Sequence, residues 1–181
     1  KTLNQFKAAY GCAIVMEVKT GKIKAIANLG ISTDTTVTYW EKYNYAIGNK
    51  TEPGSTFKVA SLAALLDDNY ISDTTKVDVE WGKKKFYDKL MSDSHPPEKR
   101  ILSVRRIMET SSNVGMAKLI EQFYGNQPKK FVEHLEKMHL HKPTGIEIEG
   151  EPTPTINRPG TQDWSGVTLP FMAIGYETEL T

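Results

Sequence analysis

The sequence predicts an α+β fold, a β-hairpin near the N-terminus followed by a mostly helical subdomain. Three observations predict it. Residues 11–18 and 22–29 are apolar, β-prone runs on either side of Lys19-Thr20-Gly21, which reads as a hairpin turn. After Pro53-Gly54-Ser55, apolar residues recur with a helical period at Phe57, Val59, Ala60, Leu62, Ala63, Leu65 and Leu66. Residues 142–170 are rich in Pro, Gly and Thr and read as loop and edge structure.

In order along the chain, residues 30–53 are polar and aromatic without a period and read as a long connection. The helix that follows is expected to end near Asp67-Asp68-Asn69. Its apolar face is wide, so a central, buried position is expected. Residues 76–100 alternate weakly, carry Pro96-Pro97 and suggest a small hairpin with a loop. A second helix is expected over 102–109, interrupted at Thr110-Ser111-Ser112-Asn113, and a third over 114–123. Pro128 suits the first turn of a fourth, over 129–138. The organisation expected is one domain, 1–181, made of a sheet hairpin at 8–30, a mainly helical subdomain at 54–140 and a loop-rich return at 141–181. A lone hairpin is marginal in water, so its strands need further partners.

Composition narrows the function classes. With 39% hydrophobic and 25% charged residues, the 181-residue chain is ordinary for a globular domain. Its net charge of +1 gives no nucleic-acid footprint. The longest apolar segment, 59–66, falls well short of the roughly 18–20 residues of a membrane span. The single cysteine, Cys12, excludes an internal disulfide framework and is expected to be a buried thiol. His134, His139 and His141 lack the i, i+4 spacing of zinc ligands and are expected on a solvated face; no metal or cofactor is expected. Tyr39, Trp40 and Tyr45 are expected to pack rather than to line a groove. The chain opens on Lys1-Thr2-Leu3-Asn4 and is still core-like at Phe171-Met172-Ala173-Ile174-Gly175, so both ends read as cut.

Ser55-Thr56-Phe57-Lys58 carries the first chemical signal. Residues i and i+3 share a helix face, so the lysine amine can reach the serine hydroxyl. The helix N-terminus favours an oxyanion there, and the same field with burial disfavours the ammonium. A serine nucleophile needs such a base. Four residues of this pattern arise by chance about once in a chain this long, so the motif needs a companion. Ser111-Ser112-Asn113 supplies one, although alone it fits a helix cap equally well.

The pair, in order and with its flanks, resembles the class B, monofunctional penicillin-binding proteins. The resemblance rests on Glu52-Pro53-Gly54-Ser55-Thr56-Phe57-Lys58, on Thr110-Ser111-Ser112-Asn113-Val114-Gly115-Met116, and on the aspartate and histidine of Asp93-Ser94-His95. It extends to Lys142-Pro143-Thr144-Gly145-Ile146 with Gly150-Glu151, and covers roughly residues 8–181. It implies a β-lactamase/transpeptidase-like fold with the C-terminal part of the sheet missing. It implies a peptidoglycan D,D-transpeptidase that forms an acyl-enzyme with D-Ala-D-Ala stem peptides and is a target of β-lactams. Ser55 would be the nucleophile, Lys58 a base that is neutral at rest, Ser111 a proton relay and Asn113 a substrate-binding residue.

The resemblance further implies glycosyltransferase and divisome or elongasome partners, no nucleic acid, and a site on the outer face of the bacterial cytoplasmic membrane, anchored by a helix upstream of Lys1. The family's third motif, Lys-Thr/Ser-Gly on a strand, follows the second. Lys19-Thr20-Gly21 precedes Ser55 and lies at a turn, and Lys142-Pro143-Thr144-Gly145 is interrupted by proline, so the motif is expected beyond Thr181. Weak activity of this stretch alone, and self-association through an apolar sheet edge, are the corresponding expectations. A β-lactamase or β-lactam sensor would share the first two motifs and be told apart by β-lactam turnover. A non-catalytic scaffold module would fail to label at Ser55.

Overall fold

The two β-prone runs pair as an antiparallel hairpin, Tyr10–Met16 (β1) with Ile23–Ile31 (β2), from Tyr10 opposite Gly30 to Met16 opposite Ile23. Gly21 takes the left-handed conformation the turn demands, with φ +70°, and its N–H donates to the Glu17 carbonyl at 2.8 Å. The computed structural model describes residues 1–32 and 38–181, which divide into two units. The first consists of residues 1–50, 143–153 and Thr181.

Besides the hairpin, this unit contains Thr2–Phe6 (α1), Tyr39–Trp40 (β3) and Tyr45–Gly48 (α2). The sheet order is β1-β2-β3. The stretch 30–53, expected as a connection only, therefore contributes a short strand and a helical turn; its residues 33–37 lie outside the described residues. Side-chain polar contacts explain the difference, since they capture the segment without any apolar period. Buried Asn28 donates to Asn44 Oδ1 at 2.8 Å and accepts from the Ala46 N–H at 3.0 Å. Tyr45 stacks on Tyr10 with ring centroids 4.4 Å apart, and the Tyr39 hydroxyl lies 2.7 Å from the Ala8 carbonyl.

The buried thiol expected at position 12 is not found: Cys12 is exposed. Among the described residues β1 pairs with β2 alone, and Ile14, Val15 and Met16 are exposed as well. An apolar run thus signals a strand's composition, and burial depends on what covers it.

The second unit comprises residues 51–142 and 154–180 and holds the main core. Gly54–Phe57 forms a 3-10 turn that leads into Lys58–Asp67 (α3). Lys76–Asp78 (β4) pairs with Ile101–Ser103 (β7), and Lys83–Phe86 (β5) pairs with Lys89–Ser92 (β6). Val104–Glu109 (α4), Asn113–Tyr124 (α5) and Pro128–Lys137 (α6) follow, with Pro128 at the first turn of α6. Thr155–Ile156 (β8), Thr168–Met172 (α7) and Thr178–Glu179 (β9) complete the unit.

Leu65, Ile107, Met116, Leu119 and Phe131 lie at the centre of the core, each 0–1% exposed. α3 is buried on one face only: Ser61, Ala64 and Leu65 turn inward toward α5 and α6, while Val59 is 65% and Leu66 44% exposed. The wide apolar stripe suggests a central, buried helix, and the structure buries one face of it, with Lys58, Ser61, Ala64 and Leu65. Among the described residues no helix is long and apolar enough to cross a membrane.

A half-buried polar knot ties α3, α5 and α6 together. Asp68 accepts from the Tyr124 hydroxyl at 2.7 Å, from Lys130 at 2.9 Å and from His134 at 3.0 Å. His134, expected on a solvated face, is 3% exposed, because α6 turns it inward onto this carboxylate. Burial pushes the Asp68 carboxyl up, but hydrogen bonds from Lys130, Tyr124 and His134 outweigh it and hold the group at about 2.

Two outcomes follow for stability. Tyr124→Phe removes one donor from the knot and should cost about 1–3 kcal/mol, read as a lower urea midpoint with an unchanged slope. Because Asp68 is held below its unfolded value of about 3.9, its contribution is fully present above about pH 4 and is lost as the pH falls toward 2. Stability measured against pH should show that loss in the wild type and a smaller one in Asp68→Asn.

Candidate active site

The S-x-x-K motif spans the change from 3-10 to α-helix. In a 3-10 turn the side chains of i and i+3 eclipse, which stacks Lys58 over Ser55. Gly54 enters the turn at φ +57°, in the region open to glycine. Ser55 is exposed, whereas Lys58 is 1% exposed. Its amine lies 3.1 Å from Ser55 Oγ.

The second motif forms the corner between α4 and α5. Thr110 ends α4, Ser111 takes a left-handed φ of +54°, and Ser112 caps α5 by accepting from the Gly115 N–H at 3.0 Å. The cap is made by Ser112, while Ser111 and Asn113 turn toward Lys58. The strained φ at Ser111 turns its carbonyl onto Lys58 Nζ at 2.7 Å, with Ser111 Oγ at 2.9 Å. Asn113 Oδ1 accepts from the same amine at 2.6 Å, and its Nδ2 donates to the Ser92 carbonyl at 2.8 Å, which orients the amide. All four residues singled out from the sequence, Ser55, Lys58, Ser111 and Asn113, therefore meet at one amine.

The partners divide by chemistry. The Ser111 carbonyl and Asn113 Oδ1 can only accept, whereas the hydroxyls of Ser55 and Ser111 can also donate. A neutral lysine has two N–H bonds, which satisfy the two pure acceptors and leave its lone pair facing the hydroxyls. Burial pushes the Lys58 amine down to about 8, against the opposing pull of the Asp93 carboxylate. With the amine lowered this far, both the ammonium and the free amine are within reach near neutral pH. The arrangement can deprotonate a serine hydroxyl and pass the proton to a second one.

A segment far along the chain holds the Ser55 turn. Thr51 and Leu180 exchange backbone hydrogen bonds at 2.9 and 3.0 Å, and the Gly54 N–H donates to the Gly175 carbonyl at 3.1 Å. Glu52 accepts from the Glu177 N–H at 3.1 Å, and the Ser61 hydroxyl donates to the Ala173 carbonyl at 2.8 Å. Sequence reasoning missed these supports. The only local sign was a core-like run ending in glycine at 171–175. Among the described residues no group of histidine, cysteine and carboxylate side chains could hold a metal.

Comparison with known proteins bears on the family and the fold. The family model of the penicillin binding protein transpeptidase domain matches residues 11–181. The probable peptidoglycan D,D-transpeptidase PbpC of Pseudomonas aeruginosa is 25% identical over 179 residues, covering 97% of this chain and 30% of the relative. The probable peptidoglycan D,D-transpeptidase PenA of Neisseria flavescens is 26% identical over 184 residues, covering 100% and 44%. The chain thus spans less than half the length of these two relatives. Among solved structures, a peptidoglycan glycosyltransferase from Burkholderia ambifaria superposes with a TM-score of 0.81 at 21% identity, over 99% of this chain and 51% of that one. The TP domain of penicillin-binding protein 3 from Burkholderia pseudomallei superposes at 0.79 and 20% identity, over 98% and 48%. The α+β, β-lactamase/transpeptidase-like fold is thereby established.

Gly175 tests the support behind the turn. It has φ +84°, and a Cβ there would lie 2.1 Å from the Gly54 carbonyl oxygen. Gly175→Ala should cost well over about 1 kcal/mol, since both conformation and space forbid it. Gly160→Ala, at φ +91° with nothing within 4 Å, meets the conformational penalty alone. Denaturant midpoints of the two variants should differ, with Gly175→Ala the lower.

Proposed function

The chain belongs to the penicillin binding protein transpeptidase domain family, and on that footing we propose that it performs peptidoglycan D,D-transpeptidation through an acyl-enzyme on Ser55. The observation that carries this reading is the convergence of Ser55, Ser111 and Asn113 on the buried Lys58 amine. Ser55 Oγ attacks the carbonyl between the two terminal D-alanines of a stem peptide, and the free amine of Lys58 takes the hydroxyl proton. The backbone N–H of Ser55 donates to the developing oxyanion. Ser111 Oγ, 2.9 Å from Lys58 Nζ, carries the proton on to the departing amine of D-alanine. Asn113 keeps one N–H free after bonding Ser92 and uses it to hold the donor peptide. An amine of a neighbouring stem then attacks the ester and releases Ser55.

β-Lactams present the same carbonyl and acylate the same oxygen, while the opened ring keeps its nitrogen tethered and slows release. The reading puts the site on the outer, periplasmic face of the cytoplasmic membrane, where stem peptides are exposed. It pairs the protein with a glycosyltransferase and with division or elongation partners.

Intact-mass spectrometry of the full-length protein with penicillin should show one adduct, absent in Ser55→Ala. An adduct of equal yield in that variant would sink the assignment. Lys58→Arg should slow acylation nearly as much as Lys58→Ala, on the order of 10²–10⁴-fold, because arginine keeps the charge and cannot give up its proton. Acylation by the wild type should rise with pH and level off above about 8, since the reactive form is the amine.

A further inference from the structure

Behind Ser111 and Asn113 lies a carboxylate that no step of the acylation uses. Asp93 follows β6 directly and is held at three points. Its N–H donates to the Gly82 carbonyl at 2.8 Å, its Oδ1 accepts from the Val114 N–H at 2.9 Å, and its Oδ2 accepts from the Ser112 hydroxyl at 2.7 Å. The residue before it, Ser92, accepts from Asn113. The end of β6 and the first turn of α5 are thereby laced together on both sides of the second motif.

The backing of Asp93 is tightly built. Glu80, Trp81 and Gly82 all have positive φ, at 49°, 58° and 76°. Consecutive left-handed residues are costly and persist only where surrounding structure imposes them. A Cβ on Gly82 would lie 3.1 Å from Asp93 Oδ2 and 2.9 Å from Pro97 Cδ. The turn thus offers bare backbone at the one place where Asp93 needs it.

Resting on the acyl-transfer reading above, we propose that Asp93 is the positioning residue of the site: its carboxylate clamps Ser112 and Val114, so holding Ser111 and Asn113 on Lys58, and from that place its charge acts on the amine they surround. A carboxylate suits both tasks, because its two oxygens accept from a hydroxyl and a backbone N–H at once. Asparagine has one accepting oxygen and no charge. The attraction of Asp93 also opposes the burial that makes Lys58 a base.

The other charged groups nearby are engaged elsewhere. Ser55, Ser111 and Asn113 around the amine are uncharged. Glu80 of the turn binds Lys118 of α5 at 2.6 Å and Lys84 of β5 at 3.3 Å. Arg106 of α4 binds Glu98 and Glu109, and Asp68 beyond the end of α3 binds Lys130. His95, two residues past Asp93, is exposed.

The test is the rate of fluorescent-penicillin labelling of the full-length protein across pH, for the wild type, Asp93→Asn and Ser112→Ala. Asp93→Asn should lower the plateau rate by about tenfold or more and move the midpoint of the pH profile down. Ser112→Ala keeps the charge and loses one clamp bond, so its plateau should fall with the midpoint in place. A folded Asp93→Asn with the wild-type midpoint would overturn the proposal, whatever its plateau, since a purely structural residue would do the same. Should Asp93→Asn fail to fold, an unchanged plateau in Ser112→Ala overturns it instead. Wild-type labelling that persists in Ser55→Ala is a different result, and it strikes the acyl-transfer reading itself.

Discussion

A lysine amine at 1% exposure with four oxygen partners is the constraint around which this site is organised. Burying an unpaired ammonium is expensive, and burying a neutral amine is much less so. The surroundings of Lys58 stabilise either state: three protons find acceptors when it is charged, and two find the pure acceptors when it is neutral. An amine lowered to about 8 is the result, close enough to neutral pH for both forms to be populated.

Holding four partners on one amine demands precision from elements far apart in sequence. The 3-10 turn stacks Ser55 over Lys58, and the left-handed Ser111 aims a carbonyl at the same atom. Neither conformation is the cheapest for its residues. Each persists because it is braced, the turn by residues 173–180 and the corner by Ser92 and Asp93. Strain at the site and rigidity around it are two aspects of one arrangement.

The relatives share this chain's length of transpeptidase domain at 25–26% identity, and the solved structures share its fold at 20–21%. What constrains the fold is the need to bury α5 against α3, α4 and α6 while leaving the N-terminal turns of α3 and α5 facing each other. The apolar face of α5 meets the first demand, with Val114, Met116, Ala117, Leu119 and Ile120 all buried.

Local rules were enough for much of this. The hairpin, the helix after Ser55, the helix break at 110–113 and the proline start of α6 follow from period, turn chemistry and capping, which act over a few residues. The motif spacing also determined that Ser55 and Lys58 share a face. Tertiary structure alone decided what surrounds them. Cys12 lies in an apolar run and is exposed because none of the described residues covers it; His134 reads as solvated and is buried because α6 turns it onto Asp68. The titration of the Lys58 amine is influenced by Asp93, 35 positions away, and the Ser55 turn is tied to Gly175, 121 positions beyond Gly54. Burial and charge coupling are sums over neighbours in space, and a sequence names those neighbours only after the chain has folded.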